Sequence, residues 1–297
     1  MRWAALLFVL TTAWAADTVQ IPVWTQDGAA LSTDSLRAQV DGVPSKIATV
    51  RSPADDLMLL VVLDLTDDLA AVEQARTALI RRLESMGANQ YVAVLTSQNG
   101  LRVLTAPTID RDIAALAIRS QQVGGRAGLL ETIEQAAELG TSIVRKSGVR
   151  LAILYLTDSD VNNYREALNN PTINQSDNGD VSRRADSLVR ERVSRMTVSL
   201  ARTQAPVFIS HLAYRTDSLN IAYQTGLISL ASATGGSTAV ARSMAEIPTV
   251  INNALDRIMG HYTVTIEIAK PAKNVAVTLA NEVGGPLDYR SNYTLGN

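Results

Sequence analysis

The stretch "LMLLVVLD", Leu57 to Asp64, is seven apolar residues in a row closed by a carboxylate, and "LTDD" follows at Leu65 to Asp68. An apolar run without polar alternation is the pattern of a strand buried on both faces, as in a parallel sheet between two helical layers. The chain then changes period. Val72, Ala75, Leu79, Leu83 and Met86 recur at helical intervals and form one apolar stripe.

The same alternation continues outward. "YVAVLTS" reads as a strand, "LRVLTA" as a short edge strand, and helices are predicted near Asp110 to Ser120 and from about Leu129 to Val144. "LAILYLTD", Leu151 to Asp158, is a second buried strand that ends on an acid. The polar stretch from Ser159 to Asp180 carries few large apolar residues and is expected to be a surface loop or insertion. Helix resumes at about Ser182 with Leu188, Val189, Val193, Met196 and Leu200 as its buried face, followed by the strand "APVFISHLAY". A helix in "NIAYQTGLISLASATGG" stops on Gly235-Gly236, the brief strand "STAV" follows, and a last helix is expected from Ala245 to Met259. Strand and helix alternating in this way predict an α/β fold: a doubly wound, mostly parallel sheet with helices on both faces.

The flanks read differently. Val19 to Trp24, Leu36 to Val40 and Lys46 to Val50 are short β-favouring runs separated by the turn dipeptides Asp27-Gly28 and Asp41-Gly42. "HYTVTIEIAK", "NVAVTLANEV" and "LDYRSNYTL" alternate apolar and polar residues near the other end. A few isolated strands are marginal on their own. The expected organisation is therefore a signal peptide over 1–15, β-segments at 16–52 and 261–297 that pair into one small β-domain, and the α/β domain at 53–260 between them.

The start of the sequence carries Arg2, an apolar run from Ala4 to Leu10 and the triplet Ala13-Trp14-Ala15, the features of an export signal. Asp17 interrupts too early for a membrane anchor, which needs about 20 apolar residues, and no other segment is long enough to span a bilayer. Periplasmic or secreted localisation is expected. With 46% hydrophobic and 19% charged residues the chain is a globular one, and a formal charge of −2 without a basic block excludes a nucleic-acid partner. Zero cysteine excludes a disulfide framework, so core packing must hold the fold together.

In a doubly wound sheet, ligands collect at the carboxyl ends of the strands where strand order reverses. Asp64 and Asp158 each end a buried strand, so both carboxylates are expected on that edge. Asp64, Thr66 and Asp68 stand at alternate positions and can turn three oxygens inward from one loop. Clustered hard oxygens suit Mg²⁺, Mn²⁺ or Ca²⁺ rather than zinc. Asp67 or Asp68 can equally serve as a cap for the following helix.

The buried strand ending "DLTDD", the "GG" loop before a helix and the strand ending "LTDSD" together resemble the von Willebrand factor type A domain over about Leu57 to Met259. With the flanking β-segments, "LASATGG" and "HYTVTIEI" resemble in particular a group of exported bacterial proteins frequent in acidobacteria. The resemblance implies a metal-ion-dependent adhesion site, written Asp-x-Ser-x-Ser with a threonine from a second loop and an aspartate from a third. Carried over, the implied metal residues are Asp64, Thr66, Asp68 and Asp158. The site is degenerate: Asp68 replaces a hydroxyl, and Arg126 or Ala127 stands where the threonine belongs. Two outcomes follow. The carboxylates share a divalent cation, or the Arg126 guanidinium neutralises them.

Other chemistry finds little material. Asp64 sits where a haloacid dehalogenase nucleophile would, but the required second acid two residues on is Thr66, which makes a phosphohydrolase the weaker alternative. His211 and His261 are the only histidines and read as structural, "ATGGS" lacks the lysine of a phosphate-binding loop, and the arginines of "SRRADSLVRERVSR" read as a solvated helix face. The expected function is an exported, non-enzymatic protein-binding module of the adhesion type, whose protein partner offers an acidic group to a cation. The alternative is a structural or assembly subunit of the cell envelope with no metal.

Overall fold

The computed structural model describes residues 17–161, 178–269 and 272–295, with no side chains described for 17, 178–186 and 188. The proposed export signal and most of the polar stretch after Ser159 lie outside the described residues, as do the side chains of the first arginines in "SRRADSLVRERVSR".

In chain order the elements are β1 (Asp17–Thr25), β2 (Leu36–Val40), β3 (Val43–Ser45), β4 (Ile47–Arg51), β5 (Leu57–Asp64), α1 (Leu69–Glu84), β6 (Gln90–Thr96), β7 (Arg102–Thr108), α2 (Arg111–Ser120), α3 (Leu129–Ser147) and β8 (Arg150–Thr157). There follow α4 (Asn178–Leu200), β9 (Val207–His211), α5 (Ser218–Ala233), β10 (Thr238–Val240), a 3₁₀ turn at Met244–Glu246, α6 (Ile247–Gly260), β11 (Tyr262–Ile268), β12 (Asn274–Asn281), β13 (Leu287–Tyr289) and β14 (Asn292–Thr294).

The central sheet runs β10-β9-β8-β5-β6-β7. All neighbours are parallel except the β6/β7 pair, so the sheet is mixed but mostly parallel. This is the α/β class the alternating periods predict. The continuous apolar run of β5 is explained by its position: Leu57, Leu59, Val61 and Leu63 pack into one helical layer with α1 and α6, while Leu60 and Val62 pack into the opposite layer with α3 and α5. Chain order reverses at β5, with β6 on one side and β8 on the other.

Helix starts follow local chemistry. Asp68, Asp110 and Asp217 each accept backbone N–H bonds at the start of α1, α2 and α5. α4 begins at Asn178, earlier than the Ser182 expected from the sequence. "LDYRSNYTL" forms two short strands in different sheets, because the chain turns at Arg290, whose guanidinium donates to the carbonyls of Ala233 and Thr203.

Two four-stranded sheets, β13-β1-β11-β4 and β14-β12-β2-β3, join the two ends of the chain. β1 pairs with β11 from Asp17↔Ile268 to Val23↔Tyr262, and β2 pairs with β12 from Val40↔Val277 to Leu36↔Asn281. Their inner faces share a core that includes Val19, Ile21, Leu36, Val264, Ile266 and Val277. Asp41 and Gly42, both at positive φ, make the two-residue hairpin between β2 and β3.

Buried polar groups tie these sheets to the α/β layers. Arg150, fully buried, donates to the carbonyls of Met259 (3.1 Å), His261 (2.7 Å) and Pro53 (3.1 Å). Burial pulls its pKa down to about 10, with Asp55 opposing. Trp24 Nε1 donates to the Arg257 carbonyl at 2.8 Å, and the Arg257 guanidinium lies over the indole 4.5 Å from the ring centroid.

Candidate functional site at the carboxyl edge

β5 and β8 are neighbours and pair in register from Leu57↔Arg150 to Asp64↔Thr157, so Asp64 and Asp158 emerge side by side. The Asp158 amide donates to the Asp64 carbonyl at 3.3 Å. The shared rim expected of the two acids therefore exists.

The two carboxylates do different work. Asp64 is fully buried. Its Oδ1 accepts from Ser97 Oγ (2.8 Å) and the Gly128 amide (2.8 Å), and its Oδ2 accepts from Thr157 Oγ1 (3.0 Å). Desolvation pushes its pKa above the ordinary carboxylate range, and these donors oppose the shift without cancelling it. Thr157 spends its one hydroxyl hydrogen on Asp64, so in the 2.6 Å contact with Ser159 it is Ser159 that donates. Tyr223 stands 3.0 Å from Ser159 Oγ and His211 Nε2 lies 2.8 Å from the Ser159 carbonyl, extending a buried polar network beneath the edge. Burial holds His211 below its usual pKa.

Asp158, 4% exposed, turns toward the loop that follows β5. Its Oδ1 accepts from the Thr66 amide (2.6 Å) and Thr66 Oγ1 (3.1 Å), and its Oδ2 from the amides of Asp67 (2.8 Å) and Asp68 (2.9 Å). Three successive amides converging on one carboxylate form an anion nest, filled by the protein's own side chain.

Asp68 does not join the two acids. It is exposed, and its Oδ1 accepts from the Ala71 amide at 3.0 Å, the capping role that the sequence also allowed. The Arg126 alternative is corrected: its guanidinium pairs with Glu131 outside the acidic pair, and its amide donates to Asn99 Oδ1 at 3.1 Å. The glycines before it let the loop turn outward, so Ala127, 1% exposed, is the buried residue of the two and offers no ligand atom.

Would these residues hold the cation that the resemblance implies? An ionised carboxylate has about four acceptor sites. Protein hydrogens occupy four on Asp158 and three on Asp64, and among the described residues no group of three or more His, Cys, Asp and Glu side chains is placed to hold a metal. As arranged, the donor set does not fit a resident cation.

Several site residues were not singled out in the sequence. Ser97 and Thr157 are strand-end hydroxyls of common type, and Gly128 carries no side-chain signal at all. A Cβ on Gly128 would stand 1.8 Å from the Ser97 carbonyl oxygen, so only glycine lets its amide reach Asp64. Gln98, 1% exposed, sets its Nε2, with two hydrogens, among the carbonyls of Leu65, Gln122 and Gly124 and thereby links its own loop to the loops after β5 and before α3.

Apolar side chains are exposed just after the strands at this edge. Leu69 follows β5 and is 64% exposed, Tyr214 follows β9 at 44%, and Met244 follows β10 at 44%. Arg242 lies 5.7 Å from the Tyr214 ring centroid.

No protein-family profile matches the chain, and no curated protein matches it. Solved structures do match. The von Willebrand factor domain of the type V pili tip protein Mfa5 from Porphyromonas gingivalis is 11% identical, with 67% of this chain and 93% of that one covered and a TM-score of 0.45. A von Willebrand factor type A protein from Catenulispora acidiphila is 10% identical, with 96% and 75% covered and a TM-score of 0.44. Proximal thread matrix protein 1 from the mussel byssus is 10% identical, with 71% and 50% covered and a TM-score of 0.44, so the match spans half of that protein's length. Another structure of the mussel protein has a zinc-occupied metal-ion-dependent adhesion site motif. These three proteins match at 10–11% identity, and the α/β class rests on the order and direction of this chain's own strands. No helix among the described residues is long and apolar enough to cross a membrane.

Proposed function

We propose that this chain is an exported, non-enzymatic protein-binding module: a von Willebrand factor A-like body at 53–260, carried on a β-domain built from 16–52 and 261–297, with 1–15 removed as a signal peptide. The acidic pair at its carboxyl edge is a scaffold, and recognition uses the loops around it. The observation that carries this reading is the combination of a closed hydrogen-bond network on Asp64 and Asp158 with exposed Leu69, Tyr214 and Met244 at the same edge. Exposed apolar and aromatic residues beside an arginine are the composition of a protein-recognition patch. Asp64, wholly buried and bonded to three donors, has no open face toward a phosphoester, which argues against the phosphohydrolase.

A pull-down from envelope extract, with and without chelator, tests the proposal. The expected result is a partner retained in chelator and lost on Leu69→Ala combined with Tyr214→Ala. In the competing adhesion-type reading, Mg²⁺, Mn²⁺ or Ca²⁺ on Asp64, Thr66, Asp68 and Asp158 would be completed by an acidic group of the partner. That reading requires Asp158 to release the loop amides, and it predicts that chelator abolishes capture.

A further inference from the structure

We infer that the outward face of α2 is a self-association surface, which pairs antiparallel with α2 of a second copy of this chain across a two-fold axis passing beside Leu116. The helix lies near the β7 edge of the central sheet. Its inner side is ordinary, with Ala114, Ala115, Ala117 and Ile118 buried. Its outer side is not: Ile113 is 49% and Leu116 66% exposed, and Ile109, just before the helix, is 51% exposed. Ile113 and Leu116, three residues apart, share one face of the helix, and Ile109 stands just before its start. A solvent-facing helix surface is normally polar, so a stripe of this kind calls for a cover.

The charges beside the stripe identify the cover. Asp112 and Arg119 are both exposed, lie on the same flank of the stripe and stand seven residues apart, about 10 Å along the axis. Neither has an ion pair among the described residues. A two-fold axis perpendicular to both helices, centred between them, brings Asp112 of one copy opposite Arg119 of the other, twice, with Ile113 and Leu116 enclosed between the two ion pairs. The surface is complementary to itself in one orientation only, and in that orientation the helix dipoles also oppose.

The adjoining strand is not the contact. β7 is an edge strand, but its pairing with β6 shifts register between Val92 and Val94 and again between Val94 and Leu95, and it contains Pro107. Bulges and proline are the devices that keep an edge from accepting another strand. A contact made mainly by one helix per copy falls below the standard interface size, so the dimer is a weak and concentration-dependent one.

Sedimentation equilibrium of the purified protein tests this. At low salt the mass average should rise from monomer toward dimer with concentration, and added salt should weaken the association. Leu116→Asp should raise the dissociation constant by about tenfold or more. Asp112→Arg should do the same by placing like charges together, and Asp112→Arg combined with Arg119→Asp should return the constant to near the wild-type value. Both positions are exposed, and matching circular dichroism spectra establish that each variant is folded. A wild-type protein that stays monomeric at about 1 mM overturns the inference. So does a dimer indifferent to Leu116→Asp, or a double charge reversal that fails to restore association.

Discussion

The carboxylate of Asp158 reaches back to the backbone amide of Thr66, 92 residues earlier, at 2.6 Å. That bond and its three companions close the loop after β5 onto the end of β8.

Removing the clamp should therefore unsettle the fold. Asp158→Ala leaves the amides of Thr66, Asp67 and Asp68 without their acceptor, and hydrogen bonds to a charged group contribute about 1.5 to 3 kcal/mol each before relaxation and water offset part of it. We expect a loss of about 2 to 4 kcal/mol by urea unfolding. Asp158→Asn, with a single carbonyl oxygen, should recover only part of this. A loss under about 0.5 kcal/mol for the alanine variant, the range of an ordinary surface change, would show that the clamp is incidental.

The departures from the adhesion-site pattern can be reversed. Asp68→Ser with Ala127→Thr supplies the two hydroxyls that the pattern calls for. We expect no calorimetric heat with Mg²⁺ in either the double variant or the wild type, because the carboxylates of Asp64 and Asp158 keep their protein donors in both. Heat in the double variant alone would show that the missing hydroxyls, rather than the occupied carboxylates, are the obstacle.

Gly128 should tolerate no side chain. Gly128→Ala must push the Ser97 carbonyl aside and so disturb the amide bond to Asp64, at a cost of about 3 kcal/mol or more. Gly260, at the end of α6, is the control, since a Cβ there meets nothing within 4 Å. Gly260→Ala should be neutral or stabilising by up to about 1 kcal/mol. Similar thermal midpoints for the two variants would contradict the packing argument.

Acidification should destabilise the protein through its buried histidines. His261 donates from Nδ1 to the Ile258 carbonyl at 2.6 Å, and burial, reinforced by Arg150, lowers its pKa to about 3. Below about pH 6.5 the unfolded chain binds a proton that the folded chain refuses, so stability falls as pH drops from 6.5 toward 3, by about 2 kcal/mol between pH 6.5 and 5. His211 acts in the same direction. Asp64, whose pKa is raised, acts in the opposite one, because its folded carboxyl takes up a proton more readily than its unfolded one. His261→Gln should flatten the slope of the urea midpoint between pH 6.5 and 5. Parallel slopes for variant and wild type would assign the acid sensitivity elsewhere.

Much of the architecture was legible in the chain alone. An apolar run such as Leu57 to Leu63 can satisfy its side chains only between two layers, and the helical stripe after it supplies one of them, so strand and helix periods determined the α/β class and put both acids at strand ends. What the chain could not determine was where the side chains point. Asp158 finds its partners in amides that exist only once β5 and β8 lie side by side. Arg126 and Ala127 are adjacent in sequence, and only the turn before them decides which is buried. Ser97 and Gly128 reach Asp64 from two separate loops, through a hydroxyl and a backbone amide that no spacing rule distinguishes. Whether neighbouring carboxylates gather a cation or are satisfied by protein donors is decided by hydrogen-bond geometry at the scale of an ångström, and that scale belongs to the tertiary structure.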